Sequence, residues 1–192
     1  ILQMRSLGLG DIEQFPFLEP PEERLIRDGV KTLQELHALD SQLNLTVIGK
    51  KLAKLPVDPR LGRMLVAAAD GNCLTEVSVI VAALSLQDPR ERPMDYAQAA
   101  DQAHARFKHE QSDFLALYNL WNAFQEQKPH LTNSKLRGWC RDNFLSYIRL
   151  REWEDIHHQI NQVIKGELSW RPNQAPAQYA EIHKALLAGL LG

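Results

Sequence analysis

Leu45-Thr46-Val47-Ile48-Gly49-Lys50-Lys51-Leu52-Ala53-Lys54-Leu55-Pro56-Val57-Asp58-Pro59-Arg60-Leu61 packs two helix starts and one chain reversal into a short span. Thr46 follows the apolar Leu45 and precedes Leu52, Ala53 and Leu55 at helical spacing. Its hydroxyl can therefore accept from orphan amides of a first turn, while Leu45 packs across that turn from outside. Pro56 is expected to end this helix, because its ring clashes with the preceding turn and disfavours the α region at Leu55. Asp58-Pro59 then restarts the chain, an acceptor side chain at the cap followed by proline at the first helical position. The expected outcome is helix, short extended Val57, helix.

Outward from this block the pattern stays helical. Upstream, Ile1 to Leu7 reads as the second half of a helix that Gly8 and Gly10 end, so the chain is expected to be a fragment of something larger. Phe15-Pro16-Phe17-Leu18-Glu19-Pro20-Pro21 is an extended crossing segment, held out of helix by its prolines. A helix from about Pro21 to Leu39 carries Leu25, Ile26, Val30, Leu33 and Leu36 on one stripe. Downstream, Pro59 to Asp70 forms a helix that stops at Gly71. Thr75 is the next cap candidate, for a helix apolar almost all round (Val77, Val79, Ile80, Val81, Leu84), which marks burial on several sides. The polar loop Gln87 to Pro93 follows, and past it come helices over Asp95 to Glu110, Asp113 to Gln127, Ser134 to about Lys165, and Pro176 to the end.

The Ser134 to Lys165 helix does not hold together as one straight rod. At about 100° per residue, Leu136, Trp139, Cys140, Phe144, Tyr147 and Leu150 share a face, whereas Trp153, Ile156, Ile160, Val163 and Ile164 lie nearly opposite. A break is expected between Leu145 and Arg151, with Ser146 capping the second piece.

The order of these motifs resembles the region that follows the motor domains of DEAH-box RNA helicases. The residues that carry the resemblance are the LTxxGxxLAxLPxDPRLGRML pattern from Leu45, Cys73 with the apolar run from Val77 to Leu86, the FPFLEPP segment, Ser112-Asp113-Phe114-Leu115 with Trp121, and Trp139-Cys140 with Asn143-Phe144-Leu145. Leu150-Arg151-Glu152-Trp153-Glu154-Asp155-Ile156-His157 resembles the bacterial HrpA branch. The resemblance implies an all-α fold with a minor short β element in the wing, a winged helix followed by a ratchet-like helical bundle. It divides the chain into a connector from a motor domain over 1–20, a winged helix with its bridging helix over 21–87, and the bundle over 88–192. It also implies a parent protein that hydrolyses ATP, with magnesium, in motor domains absent from this chain. The bundle would line a single-stranded RNA channel, and a regulatory protein would dock on the winged helix. A cytoplasmic location is expected separately, from the lack of the basic, apolar and cleavage-site regions of a signal peptide.

Composition bounds these readings. In 192 residues, 44% apolar content without low-complexity tracts describes a folded chain. The longest apolar run, Val77 to Leu86, is too short to cross a bilayer. Cys73 and Cys140 lack CxxC spacing and read as buried free thiols. A net charge of -2 argues against nucleic-acid binding by bulk electrostatics, so any RNA contact must be local or shared.

Catalytic and cofactor motifs are weak. Gly49-Lys50-Lys51 invites comparison with a phosphate loop, but the glycine required five residues earlier is Asn44 and the hydroxyl residue after the first lysine is Lys51. Gly49 reads instead as a close-packing position with solvent-facing lysines. His157-His158 with Glu154 and Asp155, or His104 with His109, lack the spacing that sets two imidazoles on one helical face; surface histidines are the expectation. No catalytic residue, metal ligand or cofactor of this chain is assigned. What remains is the basic stretch Lys135, Arg137, Arg141, Asn143, Arg149 and Arg151 around the break, suited to phosphate contacts. Asp142, Glu152, Glu154 and Asp155 leave open a plain solvated face, and the acidic first half leaves open a helical protein-interaction module without nucleic acid.

Overall fold

In the computed structural model, which describes residues 1–190, Thr46 caps the helix over Val47–Leu52 by accepting from the Gly49 amide. The Thr46 hydroxyl donates to the His37 carbonyl at 2.6 Å, so one side chain closes both the helix start and the loop before it. Leu45 lies over the same turn: a Cβ added at Gly49 would meet its side chain at 3.0 Å and the Ala38 carbonyl oxygen at 2.1 Å. Only glycine permits that approach of helix to backbone. Asp58 caps the helix Pro59–Asp70 through the Arg60 amide, with proline at the helix start. Both helix starts in the deciding stretch therefore form as the sequence predicts. The first helix stops sooner than expected, at Leu52, and two tighter turns (Lys54 amide to Lys51, Leu55 amide to Leu52) carry the chain to Pro56.

In chain order the helices are α1 (Leu2–Ser6), α2 (Glu23–Glu35), α3 (Val47–Leu52), α4 (Pro59–Asp70), α5 (Leu74–Leu84), α6 (Ala97–Ala105), α7 (Asp113–Gln127), α8 (Asn133–Asp142), α9 (Tyr147–Gly166) and α10 (Tyr179–Leu190). Short 3-10 turns stand at Ile12–Gln14 and Met94–Tyr96. The fold is all-α, and among the described residues no helix is long and apolar enough to cross a membrane. The expected short β of the wing is reduced to a single antiparallel bridge, Leu39 to Leu45. The cause is local: Asp40 Oδ1 accepts from the amides of Gln42 and Asn44, winding the chain into a tight turn before a second pair of ladder bonds can form.

The residues fall into two compact units, the first built from residues 1–77 and the stretch from Ile160 onward, the second from Ser78–Gln159; the division runs through α5 and α9. In the first unit α10 packs on α4, where Gly189 approaches the Arg60 carbonyl so closely that a Cβ would stand 2.1 Å from the oxygen. The start of α5 departs from expectation. Thr75 is not its cap but its second residue, and the Thr75 amide donates to Asn173 Oδ1 at 2.8 Å. Asn173 Nδ2 donates in turn to Glu76, whose other oxygen accepts from the Ala177 amide. Glu76 is 3% exposed, and these two donors and its place in the first turn of α5 satisfy its charge.

The second unit is centred on Trp153, fully buried, whose indole donates to the Val79 carbonyl at 2.9 Å and whose ring lies 5.1 Å from that of Trp121. His157 stands edge-on to Trp121 at 4.9 Å and within 3.2 Å of the Ser78 hydroxyl. It is thus half-buried and bonded rather than a surface histidine, as is His104, whose Nε2 donates to the Phe144 carbonyl at 3.0 Å.

Candidate nucleic-acid interface

The expected break exists, a few residues earlier than the periodicity places it: α8 ends at Asp142 and α9 begins at Tyr147. The Leu145 amide reaches back to the Cys140 carbonyl and the Phe144 amide to Arg141, the paired bonds of a left-handed helix cap. Phe144 holds the position where glycine is usual, at φ 53°. Ser146 opens α9, its carbonyl accepting from the Leu150 amide and its hydroxyl from the Arg149 amide at 3.5 Å. That bond is long, so Ser146→Ala is expected to lower stability by only about 0.5–1 kcal/mol, read from the midpoint of urea unfolding.

A loop from the start of the second unit clasps the break. The Ser146 amide donates to the Pro89 carbonyl at 2.8 Å, the Glu91 amide to the Phe144 carbonyl at 2.8 Å, and the Arg149 guanidinium to the Asp88 carbonyl at 3.0 Å. The loop is itself stiffened by a two-pronged Arg90–Asp88 pair. Burial works to raise the Asp88 carboxyl, but the Arg90 guanidinium and amide outweigh it and hold the group below the usual carboxylate range.

This construction leaves an open groove of about 870 Å³ against the break. Arg137, Arg141 and Arg151 bring cations to it, Phe144, Tyr147 and Ile148 bring apolar surface, and Glu91, Glu152 and Asp155 bring carboxylates. Arg137 lies over the Tyr147 ring at 5.2 Å. The Arg141 side chain is 82% exposed and meets Asp142 only at 3.6 Å. Arg151 is more constrained, donating at 2.9 Å to Glu154, a largely buried carboxylate that also accepts from Gln125 and Lys128.

The other three residues of the basic stretch lie elsewhere. Lys135 is exposed on α8 away from the groove lining. Arg149 is half-buried with its guanidinium on the loop carbonyl. Asn143 is 7% exposed; its carbonyl oxygen accepts from Arg106 at 2.6 Å and its amide nitrogen donates to the Trp139 carbonyl at 2.7 Å. Arg106, on the turn after α6, carries no signal in the sequence, where nothing local ties it to a residue on another helix.

Both cysteines are buried and unpaired with one another, and burial pushes each thiol up to about 11, so neither forms a thiolate near neutral pH. Among the described residues no three His, Cys, Asp or Glu side chains gather as a metal site.

The sequence that builds these helices is shared with known proteins. Residues 29–57 match the family described as helicase associated domain (HA2), winged-helix, and residues 58–117 match helicase associated domain (HA2), ratchet-like. The ATP-dependent RNA helicase HrpA of Escherichia coli (strain K12) is 52% identical over 196 residues, covering 100% of this chain and 15% of the relative. The HrpA homolog of Haemophilus influenzae is 49% identical over 198 residues, again with 100% of this chain and 15% of the relative covered. The DExH-box ATP-dependent RNA helicase DExH3 of Arabidopsis thaliana is 38% identical over 167 residues, covering 85% of this chain and 14% of the relative. The chain thus spans about 15% of the length of the HrpA proteins it matches. Glu91 and Pro93 of the groove wall fall within the ratchet-like match, whereas the wall from Arg137 onward lies beyond it but inside the alignment with HrpA. With both parts found in order and the identity sustained from end to end, the chain carries the winged-helix and ratchet-like parts of the helicase-associated domain (HA2) and is similar over its whole length to a segment of the HrpA RNA helicases.

Proposed function

We propose that this chain is the accessory region of an ATP-dependent RNA helicase, and that its groove at the α8–α9 break lines the path of single-stranded RNA. The observation that carries the reading is the convergence of Arg137, Arg141 and Arg151 on one open groove that also presents aromatic surface. Guanidinium groups supply phosphate contacts, and aromatic rings tolerate any base, the combination that sequence-independent single-strand binding uses. Lys135 extends the basic face outside the groove, while Asn143 and Arg149 hold the break in shape. In the parent protein, motor domains that bind ATP and magnesium would close and open against this region, which would convert their movement into grip on the strand and so into translocation and unwinding. A regulatory protein docking on the winged helix is compatible with the same role.

The test is a salt titration of the 192-residue chain with a labelled single-stranded RNA, followed by fluorescence anisotropy. Three phosphate contacts predict a log-log slope of roughly -2, since each contact on a single strand contributes about -0.7. A slope steeper than about -4 would mean that a larger basic surface is at work. Absence of binding at low salt would favour the second reading, a protein-interaction module, for which the supporting observations are the three carboxylates in the groove and the exposed Ile148.

A further inference from the structure

Phe144 is the least expected residue at its position. A helix cap in the left-handed region is normally glycine, or asparagine, because a Cβ is strained there, and a bulky aromatic residue is a rare occupant. Here φ is 53°, and the conformation is over-determined from outside: the Phe144 carbonyl accepts from both the Glu91 amide and His104 Nε2, at 2.8 and 3.0 Å. Core packing does not explain the ring, since Phe144 is only half-buried and forms part of the groove wall. The Tyr96 ring, 6.4 Å away and tilted by 36°, belongs to a residue that is 62% exposed. Backbone strain that persists without burying its side chain points to a use for that side chain at the surface.

We propose that Phe144 is the seat of one unstacked nucleobase of a single-stranded RNA, with the exposed Tyr96 ring as its aromatic neighbour, while Arg137 and Arg141 take the adjoining phosphates. The left-handed backbone aims the ring into the groove, and the two bonds to its carbonyl keep it aimed. This rests on the reading of the groove as an RNA contact and adds to it a distinct stacking subsite. Because any base offers a π-face, the seat selects for single-strandedness rather than sequence.

The experiment compares an oligouridine with an oligonucleotide of equal length carrying abasic residues, both measured against the 192-residue chain by anisotropy at low salt. The base-bearing strand is expected to bind about five-fold more tightly or better, as one base on an aromatic side chain does. In Phe144→Gly the margin should shrink below about two-fold at an unchanged salt slope, because glycine accepts the same backbone conformation and only the ring is lost. Tyr96→Ala, which removes the exposed neighbouring ring, should narrow the margin in part and serves as the test if Phe144→Gly lowers the thermal midpoint. Equal affinity of the parent chain for the two strands would overturn the base seat and leave the RNA contact standing. An unchanged margin in both variants would overturn the seat as well, and absence of binding by either strand would overturn both readings.

Discussion

Trp153→Ala is expected to lower the stability of the second unit by about 4 kcal/mol, in the upper range for large-to-small changes in a core. Trp153 is 0% exposed, sits against Trp121 at 5.1 Å, and is pinned by its indole bond to Val79. Truncation removes the ring's dispersion contacts and leaves a void bounded by helices α5, α7 and α9, whose backbones cannot close on it without breaking their own packing. The lost indole bond adds little, since the Val79 carbonyl keeps its place in the ladder of α5. Trp153→Phe separates the two effects: it retains most of the apolar contact, and a loss of about 1–2 kcal/mol is expected. Urea unfolding followed by circular dichroism, which does not depend on the tryptophan, measures both. A loss below about 1 kcal/mol in the alanine variant would show that the site collapses freely and that Trp153 is not the centre of the unit.

What can be read from the sequence is what is encoded locally. Thr46 and Asp58 each satisfy an amide two or three residues away, so cap, proline and apolar spacing sit together in the stretch that defines them. The break between α8 and α9 is legible because the apolar face changes side. Periodicity places it late because the residue that makes the turn is a phenylalanine, which carries none of the signature of a left-handed cap. Thr75 has the right chemistry for a cap and loses the role to Asn173, a residue 98 positions away that no local rule could bring to the start of α5. His157 and His104 depart from the surface expectation for the same reason, their partners Ser78 and Phe144 lying on other elements. In the groove, the basic residues are visible in sequence as charge but not as geometry. Tertiary bonds commit Asn143 to Arg106 and Arg149 to the Asp88 carbonyl, and leave Arg137 and Arg141 facing the open groove.

That division decides which substitutions should disturb RNA binding and which should disturb the fold. Arg149 is a poor probe of RNA, since changing it also releases the loop from the break. Arg151 is tied to the Glu154 hub, so its reversal would put two carboxylates together. Arg137 and Arg141 have only an aromatic face and an exposed, 3.6 Å ion pair to lose, and exposed pairs of that kind contribute under about 1 kcal/mol. The double reversal Arg137→Glu with Arg141→Glu is therefore expected to leave the thermal midpoint nearly unchanged while weakening single-stranded RNA binding strongly. At about 0.1 M salt, giving up the neutralisation of two phosphates lowers affinity by about 1.4 log units, roughly 25-fold, and like-charge repulsion adds to that. The log-log salt slope should become shallower by about 1.4 in the same variant, a change that a general loss of folding would not produce. In the RNA helicase proposed to carry this chain, the pair should lower strand unwinding in proportion to the loss of grip. Affinity within about two-fold of the parent, with an unaltered slope, would mean that these cations are a solvated face and that the RNA, if it touches this chain, does so elsewhere.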